Sequence, residues 1–253
     1  MSKLLLSRRT LIRTGALGGG LLLSGCDKLY QQPGFRSVLE SGEDLHRVSQ
    51  RLLGGQALAR EYRPSDVSPM FRANGSKEGA GDDYKRHLAQ RFGQWGLRVD
   101  GLVAQPLSLP LSALQAMPQR TQITRHDCVE GWSAIGQWQG PRLSQVLDLA
   151  RVSPSAKYLV FHCADIYGGA PYYESIDMVD AHHPQTILAW QMNGRPLEEA
   201  HGAPVRLRVE RQLGYKHAKF VMRIEARDTL AGVYGGKGGY WEDSSGYAWY
   251  AGI

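Results

Sequence analysis

The sequence predicts an α+β domain rich in short strands, on three observations. Alternating apolar and polar residues recur in short stretches from Trp95 onward. Helical spacing is confined to brief segments, without the regular strand–helix alternation of a doubly wound sheet. About 225 residues remain beyond an amino-terminal export signal, enough for one large domain with its own core.

The elements follow in chain order. Residues 1–25 read as a signal peptide: Ser7-Arg8-Arg9-Thr10-Leu11-Ile12-Arg13, then an apolar run from Gly15 to Leu23 that is too short for a comfortable membrane span. The arginine pair is the address of the twin-arginine export machinery, which carries proteins already folded. Leu22-Leu23-Ser24-Gly25-Cys26 resembles a lipobox, so Cys26 is expected to carry lipid and anchor the chain at a membrane surface. A plain signal with a chance cysteine is the alternative. Asp27 resembles an inner-membrane retention signal, so the expected location is the periplasm, lipid-anchored to the inner membrane.

Residues 26–65 read as a tether and a surface helix, with Leu45, Val48, Leu52 and Leu53 forming one apolar stripe within residues 43–59. The main domain is assigned to residues 66–253. It opens with a proline-punctuated extended stretch over 64–69 and a glycine-rich loop over 77–84. Trp95, Leu97 and Val99 alternate before an Asp-Gly turn, and Leu107 and Leu109 repeat the pattern. Residues 112–117 form a short helix, and residues 122–125 form a strand that delivers Cys128. Pro141 suits the first turn of a helix carrying Leu143, Val146, Leu147 and Ala150. Strands follow at 158–163, at 186–192 before the Asn193-Gly194 turn, at 205–210 and at 219–227. Residues 232–253 show little periodicity.

The formal charge is +6, part of which leaves with Lys3, Arg8, Arg9 and Arg13 of the signal. No Lys/Arg run is interleaved with aromatics, so nucleic acid is not an expected partner. Beyond Cys26 only Cys128 and Cys163 remain, and one disulfide is the plain reading for an exported protein. The sequence has no Cys-x-x-Cys pair, no haem-attachment motif and no nucleotide fingerprint in a strand–helix context. His182-His183 reads as a helix-end or loop pair, because adjacent residues seldom converge on one metal ion. The Gly235–Gly239 stretch reads as a loop and not a phosphate cradle.

Four segments in order carry a resemblance: Leu97-Arg98-Val99-Asp100-Gly101-Leu102-Val103 with Pro106-Leu107-Ser108-Leu109; Cys128-Val129-Glu130-Gly131-Trp132-Ser133; Gly202-Ala203-Pro204-Val205-Arg206-Leu207; and Gly214-Tyr215-Lys216-His217-Ala218-Lys219. Together they resemble the molybdenum-cofactor domain of the sulfite oxidase superfamily over roughly residues 70–228. The Cys-Val-Glu-x-Trp-Ser form most resembles the branch of periplasmic protein-methionine-sulfoxide reductases.

The resemblance implies a sulfite-oxidase-type molybdopterin-binding fold without the family's C-terminal immunoglobulin-like dimerisation domain, hence a monomer. It implies a Mo-molybdopterin cofactor whose only bond to protein is the thiolate of Cys128, a soft donor suited to molybdenum. It places the phosphate end of the cofactor against Arg206, Lys216, His217 and Lys219, and gives His201, Asn74 and Cys163 as further cofactor contacts. Tyr172 and Tyr173 are both candidates for a tyrosine beside the substrate, and core packing is an equal reading for either. Taken without the resemblance, Lys216, Lys219 and His201 read equally as surface or turn residues, and Asn74 as a tight-turn residue.

No arginine follows Cys128 until Arg142, which disfavours a dianionic substrate such as sulfite. The expected activity is oxygen-atom transfer, chiefly reduction of an S-oxide or N-oxide that includes protein methionine sulfoxide. Electrons would come from a separate carrier, a membrane haem protein or a cytochrome. A sulfite-oxidising enzyme of the same fold and a metal-free envelope binding lipoprotein are the alternatives.

Overall fold

The computed structural model describes residues 31–55 and 57–253. The arginine pair and Cys26 lie outside the described residues. The chain divides into two compact units, Met1–Leu53 and Gly54–Ile253.

In the first unit, helix α1 spans Pro33–Gly54. It begins ten residues before the expected start and stops before residue 59. Both shifts have local causes: Pro33 suits a first helical position, and Gly54-Gly55 ends the run. Phe35, Val38, Leu45, Leu52 and Leu53 along it are exposed. Among the described residues no helix is long and apolar enough to cross a membrane.

The second unit is α+β. Helix α2 (Asp82–Ala89) leads into β1 (Gly96–Gly101), β2 (Leu107–Pro110) and α3 (Leu111–Ala116). A long hairpin follows, β3 (Gln119–Asp127) and β4 (Ser133–Pro141), then α4 (Leu143–Ala150). β5 (Tyr158–Tyr167) and β6 (Ala170–Asp177) form a second hairpin, closed by α5 (Met178–Ala181). Next come β7 (Ile187–Ala189), β8 (Gln191–Met192), β9 (Arg195–Pro196), β10 (Arg206–Arg208), β11 (Val221–Arg227) and α6 (Tyr240–Ser245).

Three sheets result, with strand orders β2-β1-β11-β5-β6, β3-β4-β8-β9 and β10-β7. β1 and β11 run parallel. The expected strand over 186–192 is therefore two strands in two sheets. Its second half pairs with β4, while its first half pairs with β10. That change of sheet requires close approach at Gly140, where a Cβ would stand 2.0 Å from the carbonyl oxygen of Leu188. α2, β6 and α6 carry no strong single-sequence signal; they are set by packing.

Alternation positions the core. Leu97 and Val99 are buried on β1, while Arg98 and Asp100 face outward and Asp100 pairs with Arg223 of β11. Trp95, Trp138, Leu143, Leu147, Phe161, Leu207, Phe220 and Ile224 complete one continuous core. β3 departs from this pattern: its buried face is polar, consisting of Gln122, Thr124 and His126. These residues meet β10 and its continuation. Arg208 Nη1 lies 2.9 Å from His126 Nδ1, Arg208 forks onto Glu210, and Gln122 Nε2 donates to Glu210 at 2.8 Å.

A second buried polar knot joins three segments. The ammonium of Lys216 donates to Glu174 of β6 and to Glu242 of α6, the latter at 2.7 Å, and all three side chains are shut off from solvent. Burial, together with the nearby Glu242 charge, pushes the Glu174 carboxyl well above the ordinary range. One ammonium serves two carboxylates, so a proton on Glu174 balances the knot. Removing the ammonium by Lys216→Met leaves two buried acids without their shared cation and should cost about 3–5 kcal/mol in denaturant unfolding. Glu174→Gln, which keeps the shape of the protonated acid, should cost less than half of that.

Candidate functional site

β3 ends one residue before Cys128, and a tight connection turns the chain into β4. The Cys128 amide donates to Trp132 O at 2.9 Å and the Gly131 amide to Cys128 O at 3.0 Å. Gly131 takes φ +85°, which only glycine adopts without strain. The thiol of Cys128 is thus buried at the end of a rigid hairpin, lining a cavity of about 230 Å³. Asn74, Glu130, Asp165, Tyr172, His217 and Lys219 line the same cavity, and Gly214, Trp241 and Tyr247 complete its wall.

Of the two candidate tyrosines, strand alternation selects one. Tyr172 faces the cavity and donates to Tyr215 O at 2.7 Å. Tyr173 points to the other face of β6, stacks on Tyr234 at 4.3 Å and donates to Asp243, so it does not stand beside Cys128. Lys216 also departs from expectation. Its ammonium is committed to Glu174 and Glu242, which leaves only its main chain near the site.

Cys163 is a free thiol, as is Cys128; it sits beside the cavity and not in its wall, its sulfur 3.8 Å from Phe161 O. His201 opens on a neighbouring pocket with Phe71 and Met192, its ring edge-on to Phe71 at 5.9 Å. Arg206 lies wholly buried beneath the cavity, its guanidinium 5.0 Å from the Trp138 ring.

The polar atoms around the cavity are conspicuously short of partners. Asn74 Oδ1, His126 Nε2, His201 Nδ1, Arg206 Nε and His217 Nδ1 are all buried and make no hydrogen bond. Buried polar atoms in folded proteins are almost always paired, so five orphans clustered in one region mark a place shaped for a guest. Arg206 is the sharpest case. It donates only to two carbonyls, His201 O at 3.2 Å and His217 O at 3.5 Å, and among the described residues no carboxylate is in ion-pair contact with it. A buried guanidinium without a counter-ion suits an anionic group such as a phosphate.

The orphan histidines have assignable tautomers. Arg208 donates to His126 Nδ1, so the His126 proton sits on Nε2 and is offered; Gln212 O takes the His217 Nε2 proton, so His217 Nδ1 accepts. Burial first, and then Arg208, holds both rings neutral. His126 Nε2 also lies against Gly214, where a Cβ would stand 2.5 Å away. Among the described residues no three His, Cys, Asp or Glu side chains converge as a metal site. A metal at Cys128 must therefore take its other ligands from a non-protein group, which is the role of a pterin dithiolene.

Asp165, Trp241, Tyr247 and His126 were not identified from sequence. His126 shares its strand face with Gln122 and Thr124, and that polar parity is a usable signal. Asp165 follows an irregularity in the β5–β6 register between His162 and Ile166, which hides its direction. Burial raises the Asp165 carboxyl to about 6, offset by Ser76 and Lys219, while burial and Arg206 bring Lys219 down to about 7. For an acid raised on folding, stability is complete below the unfolded value near 3.8 and is lost as pH rises through about 6. Asp165→Asn should remove a decline of about 3 kcal/mol between pH 4 and 7 in melts of cofactor-free protein.

Comparison with known proteins gives the family and the fold. Residues 86–234 match the family described as an oxidoreductase molybdopterin binding domain. A putative protein-methionine-sulfoxide reductase subunit YedZ1 of Azospira oryzae is 37% identical over 245 residues, covering 97% of this chain and 87% of that protein. The crystal structure of the sulfane dehydrogenase SoxCD from Paracoccus pantotrophus shares the fold, with a TM-score of 0.50 and 23% identity. That likeness covers 69% of this chain and 46% of SoxCD, so the chain spans about half the length of that structure. The chain belongs to the molybdopterin-binding oxidoreductase family within the sulfite oxidase superfamily, and is a molybdenum-molybdopterin-dependent oxidoreductase.

Proposed function

We propose that this protein reduces neutral S-oxides, methionine sulfoxide among them, by the net reaction R₂SO + 2e⁻ + 2H⁺ → R₂S + H₂O. The observation that carries this reading is the cavity around Cys128. Among the described residues Lys219 is the only lysine or arginine lining it, and it is accompanied by the acidic Glu130 and Asp165. A dianion such as sulfite finds little attraction there, whereas an uncharged oxide meets no penalty. The name of the Azospira relative, a protein-methionine-sulfoxide reductase subunit, supports the same substrate class and a partner that delivers electrons. The family match does not favour a metal-free binding lipoprotein.

Molybdenum in a pterin dithiolene supplies two-electron oxygen-atom exchange. The chain's own residues hold and shield that group. Cys128 would supply the thiolate bond to the metal, and its thiol, raised by burial, would give up its proton on ligation. Arg206, Lys219 and His217, with the main chain at Lys216, would receive the phosphate end. Asn74 Oδ1 and His201 Nδ1 are available to the hydrogen-bonding edges of the pterin. Cys163 borders the same region. Tyr172, part-buried in the cavity wall and held un-ionised by desolvation and by Glu174, keeps its hydroxyl proton and donates it to Tyr215 O.

The export signal, with Arg8-Arg9 and Cys26, supports a folded, lipid-anchored protein at the periplasmic face of the inner membrane, and the name of the Azospira relative supports a separate, haem-bearing electron donor. Arg8→Lys with Arg9→Lys should strand the precursor in the cytoplasm, and Cys26→Ser should abolish palmitate labelling while permitting initial export. Fractionation reads both.

Holoprotein from a molybdenum-replete host, assayed with a reduced dye against sulfoxides, N-oxides and sulfite, tests the reaction. Sulfoxide reduction is expected, and turnover of sulfite alone overturns the reading. Cys128→Ser should abolish turnover with circular dichroism unchanged. Arg206→Ala should weaken cofactor retention by about 2–4 kcal/mol, read as molybdenum lost on dialysis, with a smaller effect on the cofactor-free fold.

A further inference from the structure

The cavity wall opposite Cys128 is built by the end of the chain. α6 and the residues after it lie beyond the segment matched by the family, which ends at residue 234. They are nevertheless firmly tied down. Glu242 meets Lys216, Trp249 Nε1 donates to Ser175 Oγ at 2.8 Å, and Tyr215 donates to Ala248 O at 2.6 Å. The Leu213 amide donates to Ala251 O at 2.9 Å and the Ile253 amide to Arg211 O at 3.0 Å. The result is a strap with fixed geometry.

This strap brings Trp241 and Tyr247 to the cavity. The two rings stack at 5.7 Å and 22°, Tyr167 meets Trp241 edge-on at 4.9 Å, and Tyr215 meets Tyr247 edge-on at 5.1 Å. Each ring is thereby held by another, and neither Trp241 nor Tyr247 is buried enough to count as core. Two half-exposed aromatics, clamped beside a buried thiol, are costly to leave facing water without a use.

Resting on the sulfoxide-reductase reading, we propose that Trp241 and Tyr247 form the specificity wall of the substrate site, receiving the alkyl groups that flank the sulfur of a neutral dialkyl sulfoxide. The chemistry fits: ring faces attract polarisable sulfur and its neighbouring methyl and methylene groups, and give nothing to a small, fully oxygenated anion. Val129, exposed beside Cys128 on the same cavity, extends the apolar lining outward. The strap thus selects for thioether-derived oxides by shape and polarity.

The test is steady-state kinetics of holoenzyme on dimethyl sulfoxide and on a short peptide containing methionine sulfoxide, for the parent, Trp241→Ala, Tyr247→Ala and Trp241→Phe. Each alanine variant should raise KM for both substrates about three- to tenfold, with kcat held within about twofold and molybdenum content and Tm near those of the parent. Trp241→Phe should recover most of the loss. Unchanged KM in both alanine variants overturns the wall, as does a parallel fall of kcat and molybdenum content with KM unmoved. Should Trp241→Ala fail to fold, Tyr247→Ala alone decides between these outcomes. A parent that reduces no sulfoxide overturns the functional reading, and the wall with it; an active parent whose variants keep their KM overturns the wall alone.

Discussion

The Lys216 ammonium between Glu174 and Glu242 is the interaction on which the site's outer half depends. It joins β6, the turn at residues 214–216 and α6, three segments far apart in sequence. From that point β6 presents Tyr172 to the cavity, the turn presents Gly214 and His217, and α6 presents Trp241. An ion cluster is a poor source of net stability when fully buried, since desolvation offsets most of the attraction. Its value lies in direction: hydrophobic contact alone would let α6 slide, whereas one ammonium between two carboxylates admits one arrangement.

The inner half rests on a different device, a polar face inside the core. Arg206, Arg208 and Glu210 alternate onto one side of their segment, against Gln122, Thr124 and His126 of β3 and the ring of Trp138. Arg208 is satisfied by Glu210 and His126. Arg206 is left with two carbonyls and an orphan Nε. Two buried guanidinium groups side by side repel; Arg208 is neutralised by Glu210, whereas among the described residues Arg206 has no carboxylate in ion-pair contact. The fold therefore carries a standing electrostatic cost at Arg206.

Much of this was legible in residues 95–228. β1, β2, α3, β3, α4, β5 and β11 were each signalled by apolar spacing or turn residues, and Cys128 by its surrounding motif. The signals worked where one face of an element is buried against apolar neighbours, because burial writes itself into periodicity. They weakened where burial is polar: β3, whose buried face is Gln122, Thr124 and His126, was signalled over 122–125 only, and β6 was missed. β6 carries Tyr172, Tyr173, Glu174 and Ser175 in succession, a run that reads as loop until Lys216 and Asp243 are placed beside it. α6 begins at Tyr240 after a glycine-rich stretch and is held by Glu242, with no apolar stripe of its own.

By itself the sequence determined the strand-rich α+β class, the motif that carries the cavity-lining Cys128 and the order of the segments that surround it, because these depend on local periodicity and on contiguous motifs. Only the tertiary structure decided which tyrosine faces the cavity, that the Lys216 ammonium is committed to two glutamates, and that Asp165, Trp241 and Tyr247 line one cavity with Cys128. Those outcomes depend on the sign of a strand's alternation, on a register irregularity and on partners 26 to 42 residues away, to which no local window has access.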